Sequence, residues 1–385
     1  MTKKTLSKAY NPEVDFWKLF FAAVVFLMHT KVFFHSSPIL RRGYIAVEFF
    51  FIVSGYFLAA KVRSDMRKDL RTPTSEFLRH KLAGLFKIVL CAFLITFAVR
   101  EFGEFQSAPT TARNFFLGIY EVIFGRAYGL KITKAYNSPV WYISSMLASM
   151  TVLYPLAAKY RASFFRVACP VLALFSYGFM LQQTAVLHPD ARLKITEHII
   201  GGSLVGGTVR AFAGLCVGMF VNECCVCAKE ALAGKRVSNF GKALFFFVQI
   251  ADIACILLYM QVADGRRWSQ AYDYAIIPAL ALFCFLVFSE LTGVKERLQG
   301  FNFAPLSKLS LYLYLCQWPG TYILKGRLGE GLTLGKAVLY QLIITAVTMA
   351  VCRLMVFILD FFENKLFPKL KSLLFLQAKT ENAES

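Results

Sequence analysis

Ten long apolar stretches dominate this chain of 385 residues. Each is close to the ~20 residues that a helix needs to cross ~30 Å of hydrocarbon. They occupy 14–35, 43–61, 82–100, 139–158, 164–182, 204–221, 243–263, 273–291, 305–324 and 336–362. The first is too long for a signal-peptide core and lacks a small-residue cleavage site, so we expect it to remain as a helix. The pattern predicts an all-α, polytopic membrane helix bundle with about ten transmembrane helices.

The composition excludes the main alternatives to a membrane protein. Hydrophobic residues make up 57% of the chain, charged residues only 17%, and the mean hydropathy is +0.54. Soluble domains are roughly 45–50% apolar and about 25% charged. Most of the 10 cysteines lie in apolar stretches, where Cys acts as a small apolar filler. The cluster Cys224-Cys225-x-Cys227 has no His or fourth Cys nearby in its loop, so we predict no metal site.

The formal net charge of +20 has a topological explanation. With ten helices both termini share one side, and the loops on that side carry 25 Lys and Arg against 14 opposite. Basic residues gather in cytoplasmic loops, so we predict that both termini are cytoplasmic. We therefore expect membrane lipids, and no nucleic acid, as partners of this charge.

A few ionisable residues lie within or at the rim of the apolar stretches. They include the cations Lys18, Lys31, Arg210 and Arg353. In the first stretch Asp15, Lys18 and His29 project from one helical face, with Lys18 about 16 Å from His29 and nearer the cytoplasm. An interfacial ion pair explains Asp15 and Lys18 equally well. His29 lies deeper, where an ionisable side chain is a functional hypothesis by default.

Glu48 is a carboxylate among the aromatic residues of the second stretch. The connection from the first stretch is short, so the two helices should run antiparallel, and His29 and Glu48 are equidistant from its midpoint. We predict that they face each other or share a cavity. A carboxylate that holds one ring nitrogen leaves the other as a general base for a sugar hydroxyl. A structural pair without chemistry is the alternative.

Three motifs resemble the integral-membrane acyltransferase-3 family, bacterial multispanning enzymes that O-acylate sugars. Asp15-x-x-Lys18 followed by His29 is similar to the start of the family pattern and its essential His. The second and third motifs are Gly43-x-x-x-Val47-Glu48-x-Phe50-Phe51-x-x-Ser54-Gly55-Tyr56 and Asn137-Ser138-Pro139-Val140-Trp141-Tyr142, followed by Tyr154-Pro155. The resemblance implies one membrane domain over 1–364 and a short basic, then polar, cytoplasmic tail over 365–385.

Two positions depart from the family pattern. The basic pair Arg-x-x-Arg at the start of the third span is represented by Lys81 and then Gly84, for which Arg79 or Lys87 could substitute. In the ninth span Gln317 stands where the family has His. Gln keeps the hydrogen bonding of that His but cannot titrate near pH 7.

The resemblance implies a cytoplasmic acyl-CoA donor, an acetyl group as the group transferred, and no bound cofactor. It also implies a carbohydrate or lipid-linked glycan acceptor, reached from the outer side of the bacterial cytoplasmic membrane. His29 would be the general base and Glu48 its orienting partner. The other expected roles are acyl-CoA binding by Lys18, Arg79 and Lys81, acceptor binding by Asn137 and Trp141, and orientation or packing by Asp15, Ser54, Gly55 and Gln317.

Other functions are open to a chain of this kind. The main alternative is a transporter of a glycan or small anion, with His29 and Glu48 as a proton relay. No internal repeat is evident in the sequence, which favours the enzyme. A receptor or purely structural protein explains the intramembrane charges least well. Gly202 to Gly206 and Gly214 to Gly218 are spaced for close helix packing, and the outer segments 101–136 and 183–203 are expected to select the acceptor.

Overall fold

The computed structural model describes residues 11–30, 39–67, 72–128, 135–187, 199–200, 204–233, 235, 237–263, 272–324 and 333–366. Its helices are α1 Pro12–His29, α2 Ala46–Arg67, α3 Thr74–Gly103, α4 Ala108–Val122, α5 Val140–Ser163, α6 Cys169–Leu187, α7 Gly206–Ala231, α8 Asn239–Val262, α9 Tyr272–Ser289, α10 Val294–Arg297, α11 Ala304–Cys316, α12 Trp318–Leu324 and α13 Leu334–Phe361. Two-residue strands, β1 Ile199–Ile200 and β2 Leu204–Val205, pair antiparallel. The all-α bundle is confirmed.

Seven helical stretches within the described residues are long and apolar enough to cross a membrane. They are 43–65, 74–103, 140–182, 206–231, 239–262, 272–289 and 334–364. The 43-residue stretch contains two of the expected spans, which meet at Arg161, where φ is 55°. α1 and the pair α11–α12 cover two further expected spans but are more charged or shorter. A multi-pass membrane protein is confirmed, whereas the number ten and the cytoplasmic termini stay predictions.

Two features of the helices differ from expectation. The outer segment 101–136 contains α4, a helix that begins with Pro109 in its first turn, where a missing N–H is harmless. The expected single span 305–324 is broken at Gln317 into α11 and α12. The tail over 365–385 lies almost entirely outside the described residues, and so does most of the outer loop 183–203.

Glycines set the close contact between α2 and α7. A Cβ built on Gly55 would lie 2.1 Å from the backbone oxygen of Leu215, and one on Gly218 would lie 2.0 Å from that of Ile52. Only a residue without Cβ permits this approach. The packing expected for Gly214 to Gly218 and for Gly55 is therefore confirmed, while Gly202 lies outside the described residues.

We expect Gly218→Ala to lower the thermal unfolding temperature of the detergent-solubilised protein. The added methyl group must push α2 away from α7, and overpacking of this kind costs about 1–3 kcal/mol. Gly178→Ala is the matched control, because Gly178 is also helical and a Cβ there meets nothing within 4 Å. Equal unfolding temperatures for the two variants would contradict the tight α2–α7 contact.

The neighbours of the first two helices decide where their polar residues point. α1 packs mainly against α11, and α2 packs mainly against α7, which also contacts α5 and α6. His29 is therefore presented toward α11, and Glu48 toward α7.

Candidate active site

His29 is held by Gln317. Nδ1 of His29 lies 2.9 Å from Oε1 of Gln317, and Nε2 of the same amide donates to the backbone oxygen of Tyr314 at 2.8 Å. Because the amide nitrogen is the donor there, Oε1 accepts and Nδ1 carries the proton, so that in the neutral imidazole the lone pair lies on Nε2. The half-buried ring packs beside Trp318, with centroids 5.1 Å apart. This arrangement suits a general base.

Gln317 lies at the break between α11 and α12. Pro319 has no N–H to donate to the carbonyl of Leu315, four residues earlier. Nδ2 of Asn137 donates to that carbonyl at 3.0 Å, and Nε2 of Gln341 donates to the backbone oxygen of Gln317 at 2.7 Å. Side chains from other elements thus satisfy the backbone groups at the break. They also fix the residue that orients His29.

Asn137 has a different place from the one expected of an acceptor-binding residue. It is fully buried, and its amide nitrogen is used by the α11 carbonyl. Asn137 therefore supports the helix break, and its expected contact with the acceptor stays a prediction.

Glu48 is the centre of a fully buried charge cluster. Oε1 of Glu48 accepts from Nε of Arg210, and Oε2 accepts from the hydroxyl of Tyr177 at 2.6 Å. Arg210 also donates to the backbone oxygen of Tyr44 at 2.8 Å. Neither Glu48 nor Arg210 exposes any surface. A charge at this depth needs a counter-charge, and the cluster supplies one for each partner.

The predicted pairing of His29 with Glu48 is wrong. The carboxylate of Glu48 binds groups on α6 and α7, whereas the imidazole of His29 binds Gln317. The equal distance of His29 and Glu48 from the connecting turn predicts that they lie at similar depth in the membrane. It does not predict which neighbouring helix each side chain faces. The sequence already showed Arg210 as an intramembrane cation. Such a cation requires a nearby anion, and this requirement could have identified Arg210 as the partner of Glu48.

A cavity of about 410 Å³ opens between α1, α2, α3, α5 and α11. Its lining residues are Lys18, Phe50, Ser54, His80, Lys81, Gly84, Leu85, Tyr142, Ile143, Met146, Met150, Ser307, Ser310, Leu311 and Tyr314. A second cavity, also of about 410 Å³, shares His80, Lys81 and Met150 with it and extends to Lys61 and Thr72. The two cavities adjoin at these shared residues; together they are called the passage, and they extend from the predicted cytoplasmic end of the bundle toward its interior.

Cations line the part of this passage that is nearer the predicted cytoplasmic end. Lys18 donates to Asp15 at 3.2 Å and to the hydroxyl of Ser307 at 3.3 Å. Lys81 lies at the junction of the two cavities, and Lys61 lies in the second.

Arg79 and Lys87 do not replace the missing second cation of the family pattern. Arg79 is exposed and lines neither cavity, because it lies 200° around α3 from Lys81. Lys87 lines neither cavity and forms ion pairs with Asp360, at 2.5 Å, and with Glu363. Gly84 does line the cavity, and a Cβ there would meet nothing within 4 Å. The position is open, so the passage keeps extra room instead of a charge.

Hydroxyl groups and aromatic rings line the inner end of the passage. The hydroxyls of Ser54 and Tyr142 lie 3.2 Å apart, and the rings of Tyr142 and Tyr314 are 5.7 Å apart. Ser54 therefore lines the cavity instead of serving only to pack helices. α11 carries Tyr314 one turn before Gln317, so this end lies next to the residue that holds His29.

The sequence was compared with known proteins. Residues 11–357 match the family model described as an acyltransferase domain. The chain belongs to the acyltransferase-3 family. It is therefore an acyltransferase. The comparisons found no match among curated proteins and none among solved structures.

In this acyltransferase Trp141 lies beside the charge cluster of Glu48. The guanidinium carbon of Arg210 is 5.5 Å from the centroid of the Trp141 ring, within the range of a cation–π contact. The side chain is half-buried, so part of the ring stays accessible. Its expected contact with the acceptor stays a prediction.

A buried network on the predicted outer side of this acyltransferase supports the helix break. Glu121 is fully buried and accepts from Arg126 at 3.0 Å, from the backbone N–H of Tyr136 at 3.2 Å and from that of Asn137 at 2.8 Å. The hydroxyl of Tyr136 donates to Glu101 at 2.6 Å, and burial together with that carboxylate raises the pKa of the phenol. The sequence carried no signal for this network, because Glu121 looks like an ordinary loop carboxylate.

The described part of this acyltransferase contains no group of three His, Cys, Asp or Glu side chains arranged to hold a metal ion. At the predicted cytoplasmic end of α7, Cys227 lies 3.7 Å from Glu223, which pairs with Arg63 and with Arg166 at 2.6 Å. This end of the bundle is thus held by ion pairs.

Proposed function

We propose that this acyltransferase moves an acyl group, acetyl in the first instance, from cytoplasmic acyl-CoA to a hydroxyl of a cell-envelope glycan. An exopolysaccharide or a lipid-linked sugar is the same class of acceptor. The bacterial cytoplasmic membrane is the proposed location. The observation that carries the proposal is the basic passage whose inner end lies one helical turn from the residue that orients His29.

The passage suits the chemistry of acyl-CoA. Three lysines line the passage from its predicted cytoplasmic end inward, in the order Lys61, Lys81 and Lys18. They offer charge-assisted hydrogen bonds to phosphate groups. The apolar walls around Met146 and Leu311 suit the uncharged arm that carries the thioester. Its volume lies in the roughly 300–1,000 Å³ range of ligand pockets.

His29 supplies the base for the transfer. Nε2 takes the proton from the acceptor hydroxyl as its oxygen attacks the thioester carbonyl. The C–S bond breaks as the new C–O bond forms, and the proton passes from Nε2 to the leaving thiolate. Glu48 takes no part in this step, because its carboxylate is committed to Arg210 and Tyr177. That commitment also argues against the proton relay that a transporter would need.

Labelled acetyl-CoA tests the proposed function. Purified protein in lipid nanodiscs, supplied with envelope glycans as acceptors, is expected to transfer the label to a glycan. Mass spectrometry of envelope glycans from a deletion strain would identify the acceptor by the ester it lacks. Absence of label with acetyl-CoA and with longer acyl-CoAs, together with His29-dependent proton-coupled uptake, would overturn the proposal.

Lys81→Ala is expected to weaken acyl-CoA binding by at least about tenfold. A hydrogen bond to a charged group contributes about 1.5–3 kcal/mol, and Lys81 lies at the junction of the two cavities. Equilibrium binding of acetyl-CoA to the protein in nanodiscs measures the change. Arg79→Ala is the matched control, since it removes the same charge from the same helix outside the passage. Equal losses in both variants would show that general surface charge, and not the passage, binds the donor.

A further inference from the structure

Tyr314 is a buried residue whose hydroxyl has no hydrogen-bond partner among the described residues. Its side chain is only 6% exposed and lines the inner end of the cavity. The neighbouring hydroxyls all have partners: Ser307 accepts from Lys18, Ser310 donates to the backbone of Ser307, and Ser54 pairs with Tyr142. Across the described residues no hydrogen bond reaches the hydroxyl of Tyr314, and its oxygen is not sealed from the cavity. A buried donor of this kind is costly unless a water molecule or a ligand in the cavity accepts from it.

Aromatic packing holds the two phenols of this cavity end in place. The rings of Tyr142 and Tyr314 meet edge to face, and Phe50 packs against both, with centroid distances of 6.1 and 6.4 Å. Such contacts restrict ring orientation. The hydroxyl of Tyr142 is further held by Ser54. The inner end is therefore a rigid pair of phenol donors instead of a loose apolar tip.

Helices of a membrane bundle have few other donors for a developing negative charge. Their backbone N–H groups are bonded within the helix, so side chains must supply what a loop or helix N-terminus supplies in soluble enzymes. Among the groups at this end of the cavity, the hydroxyls of Tyr314, Tyr142 and Ser54 are the ones that can donate. Lys18 is the cation of α1 that lines the cavity, and it is already bonded to Asp15 and Ser307.

We propose that Tyr314 and Tyr142 bind the carbonyl oxygen of the donor thioester and stabilise the negative charge that develops on it. Tyr314 is then a catalytic residue, Tyr142 is its partner, and Ser54 is a positioning residue. This inference rests on the proposed function. The phenols keep their protons: the C–S bond of the thioester breaks, the C–O bond to the acceptor forms, and the acceptor proton passes through His29 to the thiolate.

One helix aligns the two halves of this site. The backbone oxygen of Tyr314 accepts from Nε2 of Gln317, and Oε1 of the same amide holds His29. The carbonyl-binding phenol and the orienting amide are thus one turn apart on α11. The donor carbonyl would reach the site from the passage, and the acceptor would reach it from the His29 side.

The substitution Tyr314→Phe tests this role. It removes one hydroxyl and keeps the ring, and we expect kcat to fall about 10²–10³-fold, as when one oxyanion-hole donor is removed. Affinity for acetyl-CoA should stay within about threefold, since the hydrogen bond strengthens only as charge develops. Tyr312→Phe is the matched control: Tyr312 lies two residues away on α11 and does not line the cavity. It should keep the wild-type kcat.

A spectroscopic readout separates binding of the carbonyl from a structural effect. The infrared band of acetyl-CoA labelled with ¹³C at the thioester carbonyl is expected at lower frequency in the wild-type complex than in the Tyr314→Phe complex. Tyr142→Phe should act in the same direction and serves if the first variant misfolds. A wild-type enzyme that transfers acetyl groups while both Phe variants keep full kcat and an unshifted band would refute the inference alone. A wild-type protein that transfers no acyl group would refute the proposed function.

Discussion

His29→Ala is expected to reduce acyl transfer by about 10²–10⁴-fold, the usual contribution of a positioned general base. The imidazole is oriented by Gln317, so its loss removes the group that takes the acceptor proton. Affinity for acyl-CoA should not change, because His29 does not line the passage. The measurement is the single-turnover rate of labelled acetyl transfer, with donor binding followed in parallel.

Two further variants frame the His29 result. His80→Ala removes an exposed imidazole at the junction of the two cavities and is expected to lower the transfer rate far less. Gln317→Ala should lower kcat by an intermediate factor, because the ring remains but loses its orienting contact. A His29→Ala protein that folds and acylates its acceptor at the normal rate would falsify the general-base assignment.

Arg210→Met is expected to destabilise the folded protein by about 3–5 kcal/mol, the cost of leaving one member of a buried ion pair without its partner. Glu48 would then be a carboxylate in the bundle interior with only Tyr177 as a donor. The expected result is a large fall in the yield of folded protein and in its thermal unfolding temperature in detergent.

The double variant Glu48→Leu, Arg210→Met provides the control for this prediction. Replacing both charges by apolar groups is often neutral, so the double variant should recover much of the stability lost in Arg210→Met. If both proteins unfold at the same lowered temperature, the ion pair is not the cause. Recovery of stability with retained acyl transfer would also show that Glu48 acts on the fold and not in the chemistry.

The predicted architecture follows from a strong physical rule. A helix in hydrocarbon makes its backbone hydrogen bonds within itself. Its length and apolar composition can therefore be read from consecutive residues. This rule did not predict α4, because α4 lies outside the apolar stretches. It did not predict the break at Gln317 either, because residues distant in sequence, Asn137 and Gln341, stabilise that break.

The candidate site was predictable only in part, and Lys81 and Arg79 show why. Both residues looked suitable for binding the donor. Side chains two positions apart on a helix point in nearly opposite directions, however, and of these two only Lys81 lines the passage. A motif indicates which residue types are available, whereas the neighbouring helices decide which of them face the passage. Tyr314 drew no attention in the sequence because an aromatic residue in an apolar stretch is ordinary.

Local sequence was sufficient for the fold class and the family and for selecting His29 as a candidate, since each depends on residues close together along the chain. The tertiary structure alone decided that Gln317 holds His29, that Arg210 takes Glu48 and that the passage ends at Tyr314. These contacts join helices far apart in sequence, and they are selected by close packing at glycines and by the cost of an unpaired charge. Neither the closeness of a helix contact nor the partner of a buried charge can be assigned until the neighbouring helix is known.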